Sequence, residues 1–259
     1  MEKRVRFDDG WDRNDNEEPP PLKTEIIRDA TRTIITKNDS PDISFDRSIN
    51  PYRGCEHGWI YSFARPTPAY LGLSPGLVFA SKILIKPDAA KLLEAELRKP
   101  GYRPQVIAMG TNTDPYQPLE RDLRITRSIL EVLAEFKHPV GIVTKSATVT
   151  RDIDILAPMA GEGLARVAVS ITTLDKKLAR SMETRAATPP RRVETIPELA
   201  SAGIPVRVMS APIIPALNDD EMESILTAAA EAGATQAGYT LVRLPLEIKD
   251  LFQEWLAAH

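Results

Sequence analysis

The chain of 259 residues has one cysteine, Cys55, and it stands in the irregular stretch Asn50 to Tyr70, NPYRGCEHGWIYSFARPTPAY. Glycine, proline and arginine break any helical pattern there, and the stretch is too polar for a buried strand. It reads as a long ordered loop, the kind of segment that carries function inside a compact domain. Trp59 and Ser62 follow Cys55 after gaps of three and two residues, with an aromatic residue, Tyr61, just before Ser62. A thiolate is a soft donor suited to a soft or borderline metal. The indole of Trp59 has an N–H to donate and no lone pair to offer. The Ser62 hydroxyl could ligate as an alkoxide, but it is a poor acid and a harder ligand than sulfur. His57 is within reach in sequence. Taken alone, a single cysteine reads as a small buried side chain.

Loops such as this need a scaffold, and the rest of the chain supplies a rhythm. Arg47–Asn50 leads into the loop as a first strand, and short apolar runs follow at Lys82–Lys86, Gln105–Met109, Val140–Thr144, Arg166–Thr172, Val206–Ala211 and Gln236–Val242. Between them lie segments with helical spacing of apolar residues: 88–98, 123–136, 151–159, 190–202 and 219–232, with a last one near 248–258. Asn218 or Asp219 is the expected cap of the fifth, and Gly203 and Gly233 close the fourth and fifth. Apolar strands alternating with amphipathic helices specify parallel β/α units buried on both faces. About six units are present, too few for a closed eight-stranded barrel, so the fold class is α/β, an open partial (β/α)6 TIM-type barrel. In parallel barrels the chemistry collects at the carboxyl ends of the strands.

The residues at those ends are therefore the candidates. After 105–109 comes Gly110-Thr111-Asn112-Thr113-Asp114-Pro115, either a polar cradle of amides and hydroxyls or a turn started by Asp114-Pro115. Lys145 and Ser146 follow the next strand, and a lysine at a barrel mouth suits a carboxylate or a ribose hydroxyl. Ser170 and Thr172 end the next; Glu183 and Arg185, in the loop SMETRAATPP, read as an ordinary solvated ion pair. Ala211 to Pro215 (APIIP) is an apolar shelf on which an adenine could stack, and Arg243 follows the last strand.

The spacing of Cys55, Trp59 and Ser62 is that of C-x-x-x-C-x-x-C, the cluster-binding loop of the radical SAM superfamily. NPYRGCEHG, ARPTPAYLGL, GTNTDPYQPLE, IVTKS, VSITTLD and APIIPALND resemble the spore-photoproduct-lyase-like, DNA repair photolyase-type branch of that superfamily, from about Arg47 to Trp255. The resemblance implies a partial barrel that binds a [4Fe–4S] cluster and S-adenosylmethionine (SAM), cleaves SAM reductively to a 5′-deoxyadenosyl radical, and takes electrons from a donor such as flavodoxin or ferredoxin. It implies SAM contacts at Thr111, Asn112, Thr113, Asp114, Lys145, Ser170 and Ala211, and Cys55 as the remaining cluster ligand. It gives His57 no ligand role. Here Trp59 and Ser62 stand where the family has cysteines, and Pro68 where it usually has histidine. The expectation is a degenerate, cluster-deficient and inactive relative; a non-catalytic adenosyl-ligand or partner-binding module and a decayed or truncated product are the alternatives. Relatives commonly continue beyond the position of His259, which fits truncation.

Composition bounds the rest. Hydrophobic residues at 42% and charged residues at 27% are ordinary for a globular protein, and no apolar run approaches the ~18 residues of a membrane span. Residues 1–45 are polar, acidic and proline-bearing; the first two dozen are expected to be disordered, with a short surface strand at Thr31–Ile35, and 46–259 form the barrel domain. The start lacks the apolar core of a secretory signal, and a single cysteine fits a reducing cytoplasm. A net charge of −3 gives no global field for nucleic acid; the clusters Arg121, Arg124, Arg127 and Arg185, Arg191, Arg192 read as solvated helix faces. No G-x-G-x-x-G or Walker motif is present, and three histidines supply a zinc or Ser-His-Asp site poorly.

Overall fold

The computed structural model describes residues 24–39, 43, 45–65 and 77–259. The expected disorder of the first residues falls on 1–23, and Pro68 on 66–76, both outside the described residues. Ten strands are described: β1 (Glu25–Arg28), β2 (Thr36–Lys37), β3 (Arg47–Ile49), β4 (Tyr52–Arg53), β5 (Lys82–Ile85), β6 (Ile107–Met109), β7 (Val140–Thr144), β8 (Ala165–Ser170), β9 (Val206–Ile213) and β10 (Gln236–Leu241). Seven form one sheet in the order β2-β3-β6-β7-β8-β9-β10. From β3 to β10 every pairing is parallel, and β2 is an antiparallel edge. Six parallel strands in chain order make the open partial (β/α)6 barrel expected from the rhythm of the sequence. Lys82–Ile85 lies elsewhere, in a small sheet between β1 and β4.

Helices fill the crossovers: α1 (Leu77–Ser81), α2 (Ala89–Leu97), α3 (Glu120–Leu123), α4 (Ile125–Glu135), α5 (Ile153–Gly161), α6 (Lys176–Met182), α7 (Pro189–Ser201), α8 (Met222–Glu231) and α9 (Ile248–Ala258). Burial explains the sequence pattern. Along β8 only Arg166 is exposed, so both faces of that strand are covered, which is why it reads as a continuous apolar run. Ile129, Leu130 and Leu133 of α4 join Ile107, Met109, Ile142 and Val167 in one core. No helix among the described residues is long and apolar enough to cross a membrane.

Several boundaries differ from expectation. The helix expected over 123–136 breaks at Arg124, whose backbone is left-handed at φ 51°. Glu120, fully buried, accepts from the Thr126 amide at 2.9 Å and the Arg127 amide at 3.3 Å, so a carboxylate from the preceding helix closes the start of α4. Asn218 does not cap its helix. Its side chain donates to Thr172 O at 2.7 Å and Pro212 O at 3.0 Å and accepts from the Ile214 amide at 2.6 Å, tying the end of β9 to that of β8. Thr31–Ile35 is not a strand; Ile34 is instead buried, its amide donating to the Glu96 carboxylate at 2.6 Å. β10 departs from the two-sided burial expected, with Tyr239 64% and Leu241 60% exposed.

Two glycines are required where the chain turns into the barrel mouth. Gly110, at φ 85°, ends β6 so close to β7 that a Cβ would lie 1.9 Å from Val143 O. Gly54, also at φ 85°, precedes Cys55, and a Cβ there would meet Phe79 O and Lys82 O at 2.9 Å. Only glycine adopts that backbone at such an approach without strain.

Candidate functional site

The Cys55 loop is a series of tight turns. The amides of Gly58, Ser62 and Arg65 donate to the carbonyls of Cys55, Trp59 and Ser62 at 3.1 to 3.2 Å. The Arg65 guanidinium donates to Gly58 O and Trp59 O, both at 2.7 Å, and stacks over Phe79. Outside contacts fix the loop to its neighbours: Cys55 N to Phe79 O at 3.2 Å, Ile60 N to Met182 O at 3.1 Å, and Glu56 N to the Gln117 side chain at 3.0 Å. Cys55 is buried with Ala64 and Phe79, and burial, with Asp114 nearby, pushes its thiol up to about 12. Burial pushes the His57 imidazole down to about 4, so it is neutral near pH 7, with Nδ1 3.6 Å from Asp114 and no hydrogen-bond partner.

Across the mouth, β6, β7, β8 and β9 converge. Asp114 is buried; it accepts from the Thr144 hydroxyl at 2.7 Å and from the amides of Tyr116 and Lys145 at 2.9 Å. It therefore holds the β7 end that carries Lys145. Thr113 donates to Tyr52 O at 2.9 Å, and Asn112 N donates to the Asn50 side chain at 3.2 Å. Thr111 lies 3.4 Å from the same Asn50 side chain. These four residues thus tie the turn and loop together, the capped-turn reading of this segment.

Lys145 is the centre. Its ammonium donates to Ser170 Oγ at 2.7 Å, Thr172 Oγ1 at 2.8 Å and Ala211 O at 2.7 Å, and Glu183 Oε1 lies 3.4 Å away. Ala211 sits within β9 and contributes its carbonyl rather than an apolar shelf. Burial pushes Lys145 down to about 8 despite the pull of Glu183, so it stays cationic at pH 7.

Glu183 is the largest correction. It is 1% exposed and pairs with Arg192, not with Arg185 in a solvated pair. The Tyr61 hydroxyl also donates to it, and the Thr172 hydroxyl lies 2.6 Å away. Burial alone would raise its carboxyl, but Arg192 and Lys145 outweigh that and hold it at about 2. Arg192, equally buried, donates to Ala187 O at 2.8 Å, so it is no solvated helix-face residue. Of the first arginine cluster only Arg124 is exposed; Arg121 and Arg127 are half-buried, and Arg127 pairs with the buried Asp152 at 2.9 Å and with the exposed Asp154 at 2.7 Å, so the solvated-face reading holds for Arg124 alone. Nothing local in the sequence marks Glu183 and Arg192 as partners, because the contact needs the turn after α6 to fold α7 back toward β8. Arg243 is exposed.

The donor set does not fit a three-thiolate cluster. Cys55 is the one sulfur ligand the chain can offer in the loop. The Trp59 ring, at the second ligand position, is stacked between His57 at 5.7 Å and Tyr61 at 6.4 Å. Ser62 is buried beside it in sequence, a hard donor replacing a soft one. Among the described residues no three of His, Cys, Asp or Glu form a metal-binding group.

A family model described as the radical SAM superfamily matches residues 49–229. An uncharacterized protein of Mycobacterium tuberculosis is 37% identical over 219 residues, covering 83% of this chain and 64% of the relative. One of Methanocaldococcus jannaschii is 26% identical over 199 residues, covering 77% of this chain and 71% of the relative. Among solved structures, a spore photoproduct lyase mutant with bound AdoMet and dinucleoside spore photoproduct aligns with a TM-score of 0.63 at 15% identity, over 90% of this chain and 66% of that one. The chain thus spans just under two thirds of the length of the mycobacterial relative and of the lyase, and the likeness to the lyase is one of fold.

Proposed function

The chain belongs to the radical SAM superfamily, and from that premise we propose that its barrel mouth binds SAM, or an adenosyl ligand of that shape, without a [4Fe–4S] cluster and without cleaving it. One observation carries the reading: Lys145, Ser170 and Ala211 converge from three strands on one buried point, while the loop opposite keeps one cysteine of three. In an intact relative the cluster would supply the electron that breaks SAM. Of Cys55, Trp59 and Ser62 only Cys55 offers the sulfur that such a cluster takes from each of three positions.

What the chain's own residues would do is bind and orient. The Lys145 ammonium would hold the ligand carboxylate, a charge-assisted contact strengthened by burial. The Ser170 hydroxyl and Ala211 carbonyl would take polar groups beside it, and the carbonyl and hydroxyl oxygens of the turn from Thr111 to Asp114 would accept from the methionyl amine. An electron donor such as flavodoxin or ferredoxin has a role only if the cluster is restored. A dinucleoside photoproduct is the ligand of the lyase; the net charge of −3 and the paired arginines of this chain give no support to nucleic acid as its partner. The single cysteine supports a reducing cytoplasmic setting.

Titration calorimetry with SAM, on the wild type and on Lys145→Met, tests the binding, with iron and sulfide assayed after anaerobic reconstitution. The expected result is SAM binding by the colourless wild type, weakened at least tenfold in Lys145→Met. Trp59→Cys with Ser62→Cys should then take up about four irons per chain. Stoichiometric cluster in the wild type, or SAM binding indifferent to Lys145, would sink the proposal.

A further inference from the structure

We propose that Trp59 does more than vacate a ligand position: its indole occupies the space above Lys145 and keeps the adenosyl site closed until it is displaced. The inference rests on the ligand site proposed above and adds the residue that controls entry to it.

Four observations support it. The Lys145 ammonium lies 5.4 Å from the centre of the Trp59 ring and 5.8 Å from that of Tyr61, so the cation faces a wall of aromatic rings. That wall is ordered, because Trp59 lies nearly parallel to His57 and to Tyr61, at 18° to each. The indole is also anchored from outside. With Ile60 it packs on the apolar cluster of Tyr61, Met182, Ile214, Phe252 and Trp255, so α6, the end of β9 and α9 all press on the loop. Finally, Lys145 is 4% exposed while Trp59, the ring it faces, is half-buried, so of the two it is the indole that reaches solvent.

The closed arrangement is satisfied at Lys145 and unsatisfied at Trp59. The three N–H groups of Lys145 are taken by Ser170, Thr172 and Ala211, so a ligand carboxylate must both move the ring and replace one of these contacts. The Trp59 Nε1–H is buried with no acceptor. An unpaired buried donor destabilises the position that creates it, so the closed state is one that a ligand of sufficient affinity can open. A cysteine at this position reaches less far and leaves the ammonium uncovered. Replacing sulfur by indole therefore changes the site twice, removing a cluster ligand and adding an occupant.

Trp59→Ala tests this, with Trp59→Leu as a second variant that keeps apolar contact with the Ile60 and Met182 cluster should the alanine variant fold poorly. Two readouts are needed: SAM affinity by calorimetry, and the rate at which Lys145 is acylated by an amine reagent at pH 8, followed by peptide mass spectrometry. The expected result is SAM binding at least tenfold tighter than in the wild type, and Lys145 acylated at least tenfold faster. Lys145 exposed in the variant with no SAM binding in any protein would uphold the occluding role and reject SAM as the ligand. Lys145 equally protected in the wild type and both variants, with SAM affinity unchanged, would overturn the inference and leave the SAM reading standing.

Discussion

At the scale of single residues, the mouth of this barrel is decided by two substitutions of character. Where a soft ligand would suit iron, the chain has an indole, and the indole joins a stack instead of a coordination sphere. Where the sequence suggests a solvated pair, the chain has a buried carboxylate serving two cations, a tyrosine and a threonine. A buried ion pair is weak proof of stability, but breaking one is costly because it leaves a charge uncompensated. Arg192→Met should accordingly cost about 3–5 kcal/mol in urea unfolding, measured at pH 7; a loss below about 1 kcal/mol would mean that Lys145 alone suffices to hold Glu183. The same carboxylate predicts an acid window. Its folded value of about 2 lies below the unfolded value of 4.5, so its contribution is complete above about 4.5 and is lost as the pH falls toward 2. Glu183→Gln should flatten the fall in stability across that window. An unchanged slope would place the acid sensitivity in other groups.

Among the elements, the turns after the strands matter more than the strands. Gly110 lets β6 end against β7, and the turn that follows presents Asp114 to the amide and hydroxyl that hold Lys145 in place. Gly110→Ala combines a left-handed backbone with a Cβ driven into Val143 O, and strain and overpacking together should cost about 2–5 kcal/mol. Guanidinium unfolding of that variant checks the figure, and a loss under about 1 kcal/mol would mean the turn can relax away from β7. Asn218 does equivalent work between β8 and β9, bonding to both strand ends. Sequence spacing marks this asparagine as a helix cap, which is the common use of the residue; its true partners come from a neighbouring strand. α9 is a further case. Its helical pattern is plain in the sequence, yet only packing shows that Phe252 and Trp255 lie against Tyr61 of the Cys55 loop.

For the whole molecule, one continuous core runs from Ile34 and Tyr52 through the barrel strands to Ala229, with a second cluster under the mouth. A chain decayed beyond selection has no reason to keep such packing. Thermal unfolding of the wild type should therefore be a single cooperative transition, with calorimetric and van't Hoff enthalpies equal; a broad, non-coincident melt by fluorescence and circular dichroism would favour the decayed reading. Much of this architecture was legible in the sequence. Apolar runs separated by amphipathic segments marked about six β/α units, because the periodicity of burial is written residue by residue along each element; it does not say which strands pair, and Lys82–Ile85 joined a separate small sheet. The motif around Cys55 and the residues at the strand ends pointed to one end of the barrel, where the fold brings Lys145 and Ser170 to 2.7 Å of each other. What the sequence by itself could not determine is who meets whom across that mouth. Whether Glu183 is solvated or buried, whether Asn218 caps a helix or joins two strands, and where the Trp59 ring goes depend on elements far apart in the chain converging at one point. The free energy of a charge or an indole is set by that convergence, through desolvation and contact, and so only the tertiary structure decided it.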